Sequence, residues 1–323
     1  MVYQINLKKI KFMNILITGG AGFIGSHLCD SLLAKGYVIT VVDNLVLGKK
    51  ENIAHLSNRT DFNFFQEDLL DLKQLKSIFS DGQFDMVYHL AANSDIQKGS
   101  NNPEVDYNLT FKTTFNVLQC LREFKVNKLF FASTSAIYGE TIENLTEDFG
   151  PLLPVSNYGA SKLASEAFIS AFSSSYGIQT WIARFPNVVG ERFTHGVIYD
   201  FIGRLRANPK VLTVLGNGQQ NKPYMYVKDL VEGIIFLCEN TSNRYNVYNI
   251  GTESRTKVFE IAEMVIEEMK LDAQIEYSGG DRGWVGDVPE FRYDLSKINS
   301  LGWNAKHNSN DSVRLAIQKI LEK

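Results

Sequence analysis

A tyrosine and a lysine four residues apart, Tyr158 and Lys162 in Ser156-Asn-Tyr-Gly-Ala-Ser-Lys162, can do acid–base chemistry if a helix carries both. Residues at i and i+4 share a helix face. A phenol with a pKa of about 10 is a weak base at neutral pH, and a neighbouring ammonium, helped by a positive nicotinamide ring, favours its phenolate. Lowering it by about 3 units takes roughly 4 kcal/mol of differential stabilisation, which a close cation in a desolvated cleft can supply. By itself Y-x-x-x-K is common on helices, with the ring packed and the lysine reaching for water. A second group of hydroxyls adds weight. In Phe131-Ala-Ser-Thr-Ser-Ala-Ile-Tyr-Gly139 they fall at the C-terminal end of a predicted strand, the edge at which open parallel sheets bind ligands. Thr134 can share a hydrogen bond with a substrate hydroxyl there, whereas Ser133 and Ser135 suit the loop backbone.

The other chemistry-bearing stretch is Ile17-Thr-Gly-Gly-Ala-Gly-Phe-Ile-Gly-Ser-His-Leu28. Read from Gly20 it is G-x-G-x-x-G; read from Gly19 it is G-x-x-G-x-x-G, with Gly19, Gly22 and Gly25 as the set. Either way the glycines permit a tight turn after a strand and let a pyrophosphate approach the N-terminus of the next helix. Asp43 closes the next predicted strand 18 residues after Gly25. A carboxylate there accepts from adenosine ribose hydroxyls and repels a 2′-phosphate, which favours NAD over NADP. Asp68 follows the third strand, where an adenine amine or plain solvent could be its partner.

These residues need a scaffold, and the chain alternates accordingly. Asn14–Thr18, Val38–Val42, Phe62–Phe65, Phe84–Leu90, Lys128–Ala132 and Thr180–Arg184 read as strands. Phe23–Lys35, Leu70–Phe79, Pro103–Phe124 and Tyr158–Tyr176 show apolar residues at helical spacing between them. The pattern predicts an α/β fold, a Rossmann-type doubly wound parallel sheet with both faces covered. After about Asn187 the rhythm loosens: helices near Val197–Ala207, Leu230–Leu237 and Val258–Met269, and strands at Val211–Val214 and before Asp229, suggest a smaller α+β lobe. The expected division is an N-terminal extension over 1–12, a dinucleotide domain over 13–186 and a mainly substrate-binding lobe over 187–323, with segments free to interleave.

Composition bounds the rest. The 323 residues can bury a large core, and 44% hydrophobic with 21% charged residues is ordinary for a globular protein. A net charge of −3 without blocks of like charge gives no support to nucleic-acid binding. Three cysteines without C-x-x-C or zinc spacing suggest buried thiols in a reducing compartment and no metal site. No apolar run is long enough to span a membrane, and MVYQINLKKIKF lacks the apolar core of a secretory signal. The cytoplasm is the expected location.

Taken together, TGGAGFIG, VVDN, Asp68-Leu69, His89-Leu-Ala-Ala92, STSAIYG, YGASK, Arg184-Phe-Pro-Asn-Val-Val-Gly190, Tyr226-Val-Lys-Asp229 and Gly286-Asp-Val288 resemble the NAD-dependent nucleotide-sugar epimerase/dehydratase family of extended short-chain dehydrogenase/reductases. The resemblance runs from about Met13 almost to the C-terminus. It implies the Gly19/Gly22/Gly25 register, with Gly20 as an extra turn residue, and NAD as cofactor. The cofactor residues it implies are Gly19, Gly22, Phe23, Ile24, Gly25, Asp43, Asn44, Asp68, Leu69, Leu90, Ala91 and Ala92, together with Tyr158 and Lys162. Tyr158 would be the catalytic base, Lys162 would lower its pKa and hold the ribose, and Thr134 would polarise the sugar hydroxyl. Ser135, Asn187, Lys222 and Arg282 would bind substrate. Where the family has Arg-Asp before Y-V-x-D this chain has Lys222-Pro223, a point charge without the bidentate fork. Arg282-Gly-Trp-Val-Gly-Asp287 is likewise longer than the usual R-x-G-D.

Members of this family begin by hydride transfer from a sugar carbon to NAD. The 4,6-dehydratases place Asp-Glu directly after the catalytic Thr, and UDP-glucuronate decarboxylases carry Glu at the second of those positions. Here they are Ser135 and Ala136, which cannot do that acid–base work. The expectation is therefore C4 epimerisation of a UDP-hexose through a transient 4-keto sugar. A nucleotide-sugar 4,6-dehydratase or 4-reductase is the alternative within the class, and a non-catalytic NAD-binding regulatory protein the alternative outside it. Such regulatory proteins lose the Tyr or the Lys; this chain has both. His89 is expected to pack beside the cofactor, and His195 and Tyr199 to open a helix in the second lobe, on its surface or, as the alternative, lining the sugar pocket. The resemblance also implies a homodimer through the Pro103–Phe124 and Tyr158–Tyr176 helices.

Overall fold

The runs of Val, Ile and Phe in the first half become strands because such side chains fit a pleat that is covered on both faces. The computed structural model describes residues 13–141, 143–281, 283 and 288–322. In chain order come β1 (Asn14–Thr18), α1 (Phe23–Ala34), β2 (Val38–Val42), β3 (Phe62–Phe65), α2 (Leu72–Gly82) and β4 (Met86–His89). Then follow α3 (Ile96–Asn101), α4 (Pro103–Asp106), a π-helical turn (Tyr107–Lys112), α5 (Thr113–Glu123), β5 (Lys128–Thr134), β6 (Asn144–Leu145), α6 (Asn157–Tyr176) and β7 (Gln179–Phe185). The later part supplies β8 (Asn187–Val189), α7 (Val197–Ala207), β9 (Val211–Val214), β10 (Asn221–Lys222), β11 (Tyr224–Tyr226), α8 (Val227–Asn240) and β12 (Tyr245–Asn249). It closes with β13 (Thr256–Lys257), α9 (Val258–Glu268), β14 (Gln274–Tyr277), β15 (Arg292–Tyr293), α10 (Ser296–Asn299) and α11 (Ser309–Leu321).

Seven strands form one parallel sheet in the order β12-β7-β5-β4-β1-β2-β3. The order in which strands are added reverses between β1 and β4, where Ile17 pairs in parallel with Tyr88, and the crevice beyond the C-terminal ends of those strands is where such sheets bind ligands. Two apolar cores cover the two faces, one around Leu28, Ile39 and Ile234, the other around Leu118, Phe131 and Ile169. A third core, with Ile198, Leu212 and Val265, belongs to the lobe beyond residue 187. The sheet itself draws on both halves, since β12 pairs with β7 in parallel register and α8 packs against α1. No described helix is long and apolar enough to cross a membrane.

Two of the expected elements are altered, and β12 at the edge of the main sheet and α11 were not expected. The strand expected over Phe84–Leu90 is only β4, because Asp85 turns back to the Asn14 backbone and Leu90 already serves the loop that follows. The helix expected over Pro103–Phe124 is interrupted by the π-helical turn. Its threonines explain the break: Thr113 Oγ1 donates to the Leu109 and Thr110 carbonyls, and Thr114 Oγ1 donates to Thr110 O at 2.6 Å. Side chains thus compete for carbonyls the regular ladder would use.

Candidate active site

The glycine loop links β1 to α1, and its geometry decides between the two registers. Gly19 has φ +72°, and a Cβ there would lie 2.7 Å from the Ala91 nitrogen. A Cβ on Gly25 would meet the Gly19 carbonyl oxygen at 2.2 Å. Gly19, Gly22 and Gly25 all border the main cavity of about 630 Å³. Gly20 turns the other way, toward β2, where a Cβ would strike the Val41 methyls at 2.6 and 2.7 Å. The 19/22/25 set faces the cleft, and Gly20 serves packing against the sheet.

The loop also carries the features a dinucleotide needs. Gly22 opens α1 without a capping side chain, so the first-turn N–H groups and the helix dipole are available to an anion. Asp43 Oδ2 accepts from Ala21 N at 3.0 Å and Oδ1 from Leu45 N at 2.9 Å. Burial raises its pKa while these backbone donors oppose the rise. The carboxylate that borders the cleft therefore also holds the glycine loop in shape. Asn44 donates to Asp68 at 3.1 Å, and both border the cavity with Leu69, Leu90, Ala91 and Ala92. A glycine cradle, an uncapped helix start and a carboxylate at the second strand's end fit NAD. Those positions would hold its pyrophosphate and adenosine.

At the far side of the same cavity, the C-terminal end of β5 meets the first turns of α6. Ser156 caps α6 by accepting from Gly159 N at 3.1 Å. Three consecutive β5 residues each hold one α6 side chain. Lys162 Nζ donates to Ala132 O at 2.6 Å, Ser133 Oγ donates to Glu166, and Thr134 hydrogen-bonds the Tyr158 hydroxyl. Lys162 is buried, its Nζ 4.6 Å from the Phe131 ring centre and 5.9 Å from that of Tyr158.

In the protein without cofactor, burial outweighs the pairing of these two groups. Burial pushes Tyr158 up to about 12, against the Thr134 hydrogen bond and with help from Asp106. Burial also brings Lys162 down to about 7, while Glu166 and Asp106 hold it up. The protein alone does not make a phenolate, since the desolvation that would strengthen the ion pair penalises each of its charges first.

His89 lies behind this corner as expected. Its Nδ1 is 2.6 Å from Thr18 Oγ1 and its Nε2 3.0 Å from Thr114 Oγ1. Because Thr114 gives its own proton to Thr110 O, its oxygen accepts from Nε2–H and Thr18 donates to Nδ1. Burial, with Lys162 adding to it, lowers the His89 pKa to about 3, so the ring stays neutral.

The second lobe closes the cavity. Asn187, at the start of β8, and the buried Lys222 of β10 border it, as does Arg204 of α7. Ser135 does not; it lies beside Tyr293. Arg282 and Gly286-Asp287 fall outside the described residues. His195 was expected on a helix surface, but it precedes α7 and borders the cavity. Gly196, at φ +96°, ends the loop and starts that helix. Tyr199, at 44% exposure, is on the surface. The loop carrying His195 is tied to α1: Arg192 pairs with Asp30 at 2.8 Å, and the Phe193 and Phe23 rings lie 4.8 Å apart. Sequence reasoning missed Glu166 and Arg184 as partners. The only signal was that Glu166 follows Lys162 by four residues on the same face as Tyr158.

The chain is similar to known proteins in sequence and fold. The model of the NAD dependent epimerase/dehydratase family matches residues 15–251. A UDP-glucose 4-epimerase from Thermus thermophilus, solved in complex with NAD, superposes with a TM-score of 0.86 at 30% identity over 96% of this chain and 99% of its own. The Thermotoga maritima UDP-glucose 4-epimerase, solved with UDP-glucose, gives 0.86 at 31% identity over the same shares. UDP-glucuronic acid decarboxylase 1 of Arabidopsis thaliana is 31% identical over 92% of this chain and 67% of its own.

Proposed function

The chain belongs to the NAD dependent epimerase/dehydratase family, and from that membership we propose that it interconverts the C4 epimers of a nucleotide-activated hexose, a UDP-sugar. It is an NAD-dependent epimerase in class. The observation that carries the C4 reading is the pairing of Thr134 with Tyr158 at the end of β5, followed by Ser135 and Ala136 rather than carboxylates. A base and a hydroxyl partner are enough to deprotonate and reprotonate one sugar hydroxyl. Elimination at C6 or control of a decarboxylation needs a further acid–base group.

In this reading Tyr158 takes the proton from the sugar hydroxyl, Thr134 orients that hydroxyl, and Lys162 offsets the phenolate charge. When bound, NAD supplies a hydride acceptor that is restored in each cycle, and a positive ring charge. With Tyr158 at about 12 in the protein alone, its ionisation near neutrality requires such added positive charge, which ties proton removal to cofactor binding. Lys222 and Arg204, which border the cavity, would neutralise the diphosphate, and residues 187–323 would supply most of the nucleotide-sugar seat. Proton NMR of the product from UDP-glucose and from UDP-N-acetylglucosamine tests the reading. A C4 epimer is expected, and a 4-keto-6-deoxy sugar overturns it.

The proposal includes a homodimer through α5 and α6. Tyr107, Phe111, Phe168, Phe115, Phe172 and Tyr176 form a ladder of ring contacts at 5.0–6.2 Å across these elements. Phe168 is 41% and Tyr176 46% exposed, an apolar strip that a second copy would cover. Phe168→Glu is expected to yield a monomer by light scattering; a dimer of unchanged mass refutes the interface. Cytoplasmic location is part of the same proposal, supported by free thiols at Cys29, Cys120 and Cys238.

A further inference from the structure

Residues 191–196 join β8 to α7 in the second lobe, yet they are fastened to α1. Three side chains of α1 receive them. Phe23, His27 and Asp30 follow at intervals of four and three residues, so they form one stripe on that helix. His27 Nε2 donates to Glu191 O at 3.0 Å, Arg192 NH2 pairs with Asp30 Oδ2 at 2.8 Å, and the Phe193 ring lies 4.8 Å from that of Phe23. Glu191 is also tied to its own lobe, accepting from the Tyr226 hydroxyl at 2.8 Å and pairing with Lys228 at 2.9 Å. Beyond these anchors the chain turns over the cavity. Phe193, Thr194, His195 and Gly196 border it, while Asp30 and Arg192 stand outside its lining. His195 hydrogen-bonds the backbone of Ser94, in the loop after β4 that borders the same cavity. The segment therefore runs from α1 to the β4 loop. Arg192 takes φ +70°, a left-handed conformation that costs a non-glycine residue and persists where the surroundings impose it.

We propose that residues 193–196 are a strap over the dinucleotide seat, and that Arg192, through Asp30, is the positioning residue that holds the strap down. The inference rests on the reading of NAD as the occupant of the glycine cradle. Gly22 and Phe23 begin the helix whose free N–H groups would hold the pyrophosphate. Phe193 packs on Phe23, so the strap lies beside that seat. The chemistry suits such a device. An epimerase restores its NAD in each cycle, so turnover never requires the cofactor to leave. An enzyme that had to exchange NADH after every cycle would be slowed by the same strap. The ion pair is partly shielded, with side-chain exposures of 19% for Arg192 and 33% for Asp30. Asp30 divides its two oxygens, Oδ1 to His55 at 2.7 Å and Oδ2 to Arg192. Arg192 acts through the strap and touches no reacting atom.

The test follows NADH by its own fluorescence in stopped flow, entering cofactor-stripped protein and leaving it during a chase with excess NAD. Arg192→Gln and Asp30→Asn should each speed entry and release about fivefold. Loosening a strap lowers the barrier in both directions, so Kd should stay within about twofold of wild type. The double variant should be no faster than either single one, because both break the same pair. His55→Ala, which removes the other partner of Asp30, should leave both rates at the wild-type value. Wild-type rates in the Arg192 and Asp30 variants overturn the strap. A raised Kd with entry unchanged overturns it too, since that marks a lost binding contact, and so does equal acceleration by His55→Ala. If wild type takes up no NADH, the cofactor reading falls and the strap with it. If exchange changes as expected but no C4 epimer forms, only the proposed reaction falls.

Discussion

Substituting alanine separately at Gly20, Gly22 and Gly25 should give three different outcomes, because an added methyl group meets different atoms at each site. At Gly22 the only neighbour within 4 Å is the Gly19 carbonyl oxygen, at 3.1 Å, and the backbone sits at φ −72°, comfortable for any residue. The methyl therefore enters the cavity, at the seat proposed for the pyrophosphate. Pushing an anion off the helix N-terminus forfeits about two charge-assisted hydrogen bonds, on the order of 3 kcal/mol, or about 100-fold in NAD affinity. The melting temperature of cofactor-free Gly22→Ala should stay within about 2 °C of wild type. Gly20→Ala does the reverse: overlap with Val41, a stiff β-branched residue, costs about 1–3 kcal/mol of stability, with NAD affinity changed less than about threefold. Gly25→Ala drives a methyl against backbone at 2.2 and 2.8 Å and should lower stability and affinity together. Calorimetric titration of NAD and thermal melts with and without it read all three. If Gly22→Ala binds NAD within about threefold of wild type, the anion seat and the register argument both fail.

Tyr158→Phe removes the proposed base while leaving the ring, so kcat should fall by about 10²–10⁴-fold with NAD still bound, as cofactor absorbance after gel filtration would show. Retained turnover would end the mechanism. His89 gives a pH signature. Its folded pKa of about 3 lies below the unfolded value of about 6.5, so the unfolded chain takes up the proton first and stability is lost as pH falls from about 6.5 toward 3. The loss reaches roughly 2 kcal/mol by about pH 5. In His89→Gln the difference in unfolding free energy between pH 7 and 5, from urea titration, should shrink by that amount, and an unchanged difference would refute a neutral buried ring.

How much of this was legible before the fold is clearest residue by residue. The sheet and its helices follow from β-branched runs alternating with 3.6-residue periodicity, a local signal that tertiary contacts reinforce. Tyr158 and Lys162 were legible because i, i+4 spacing on a helix is itself a distance. Gly22 was legible as part of a loop whose turn only glycine allows. The π-helical turn was not, since it depends on which carbonyls Thr113 and Thr114 choose to bond. Whether His195 lines the pocket or the helix surface was not legible, because periodicity shows a helix but not how the loop before it folds over α1.

The sequence by itself determined the strand–loop–helix that can receive a dinucleotide and the pairing of a phenol with an amine. Both are set by neighbours a few residues apart, where chain geometry leaves little freedom. Only the tertiary structure decided that Gly20 faces Val41 and not the cleft, since that depends on β2 lying beside β1. It alone showed that burial raises Tyr158 and lowers Lys162, because the cost of charge depends on what surrounds it from every side. The ion pair of Glu166 with Arg184 joins residues from two elements whose side chains meet only when α6 packs on the sheet, and no spacing along the chain encodes that meeting.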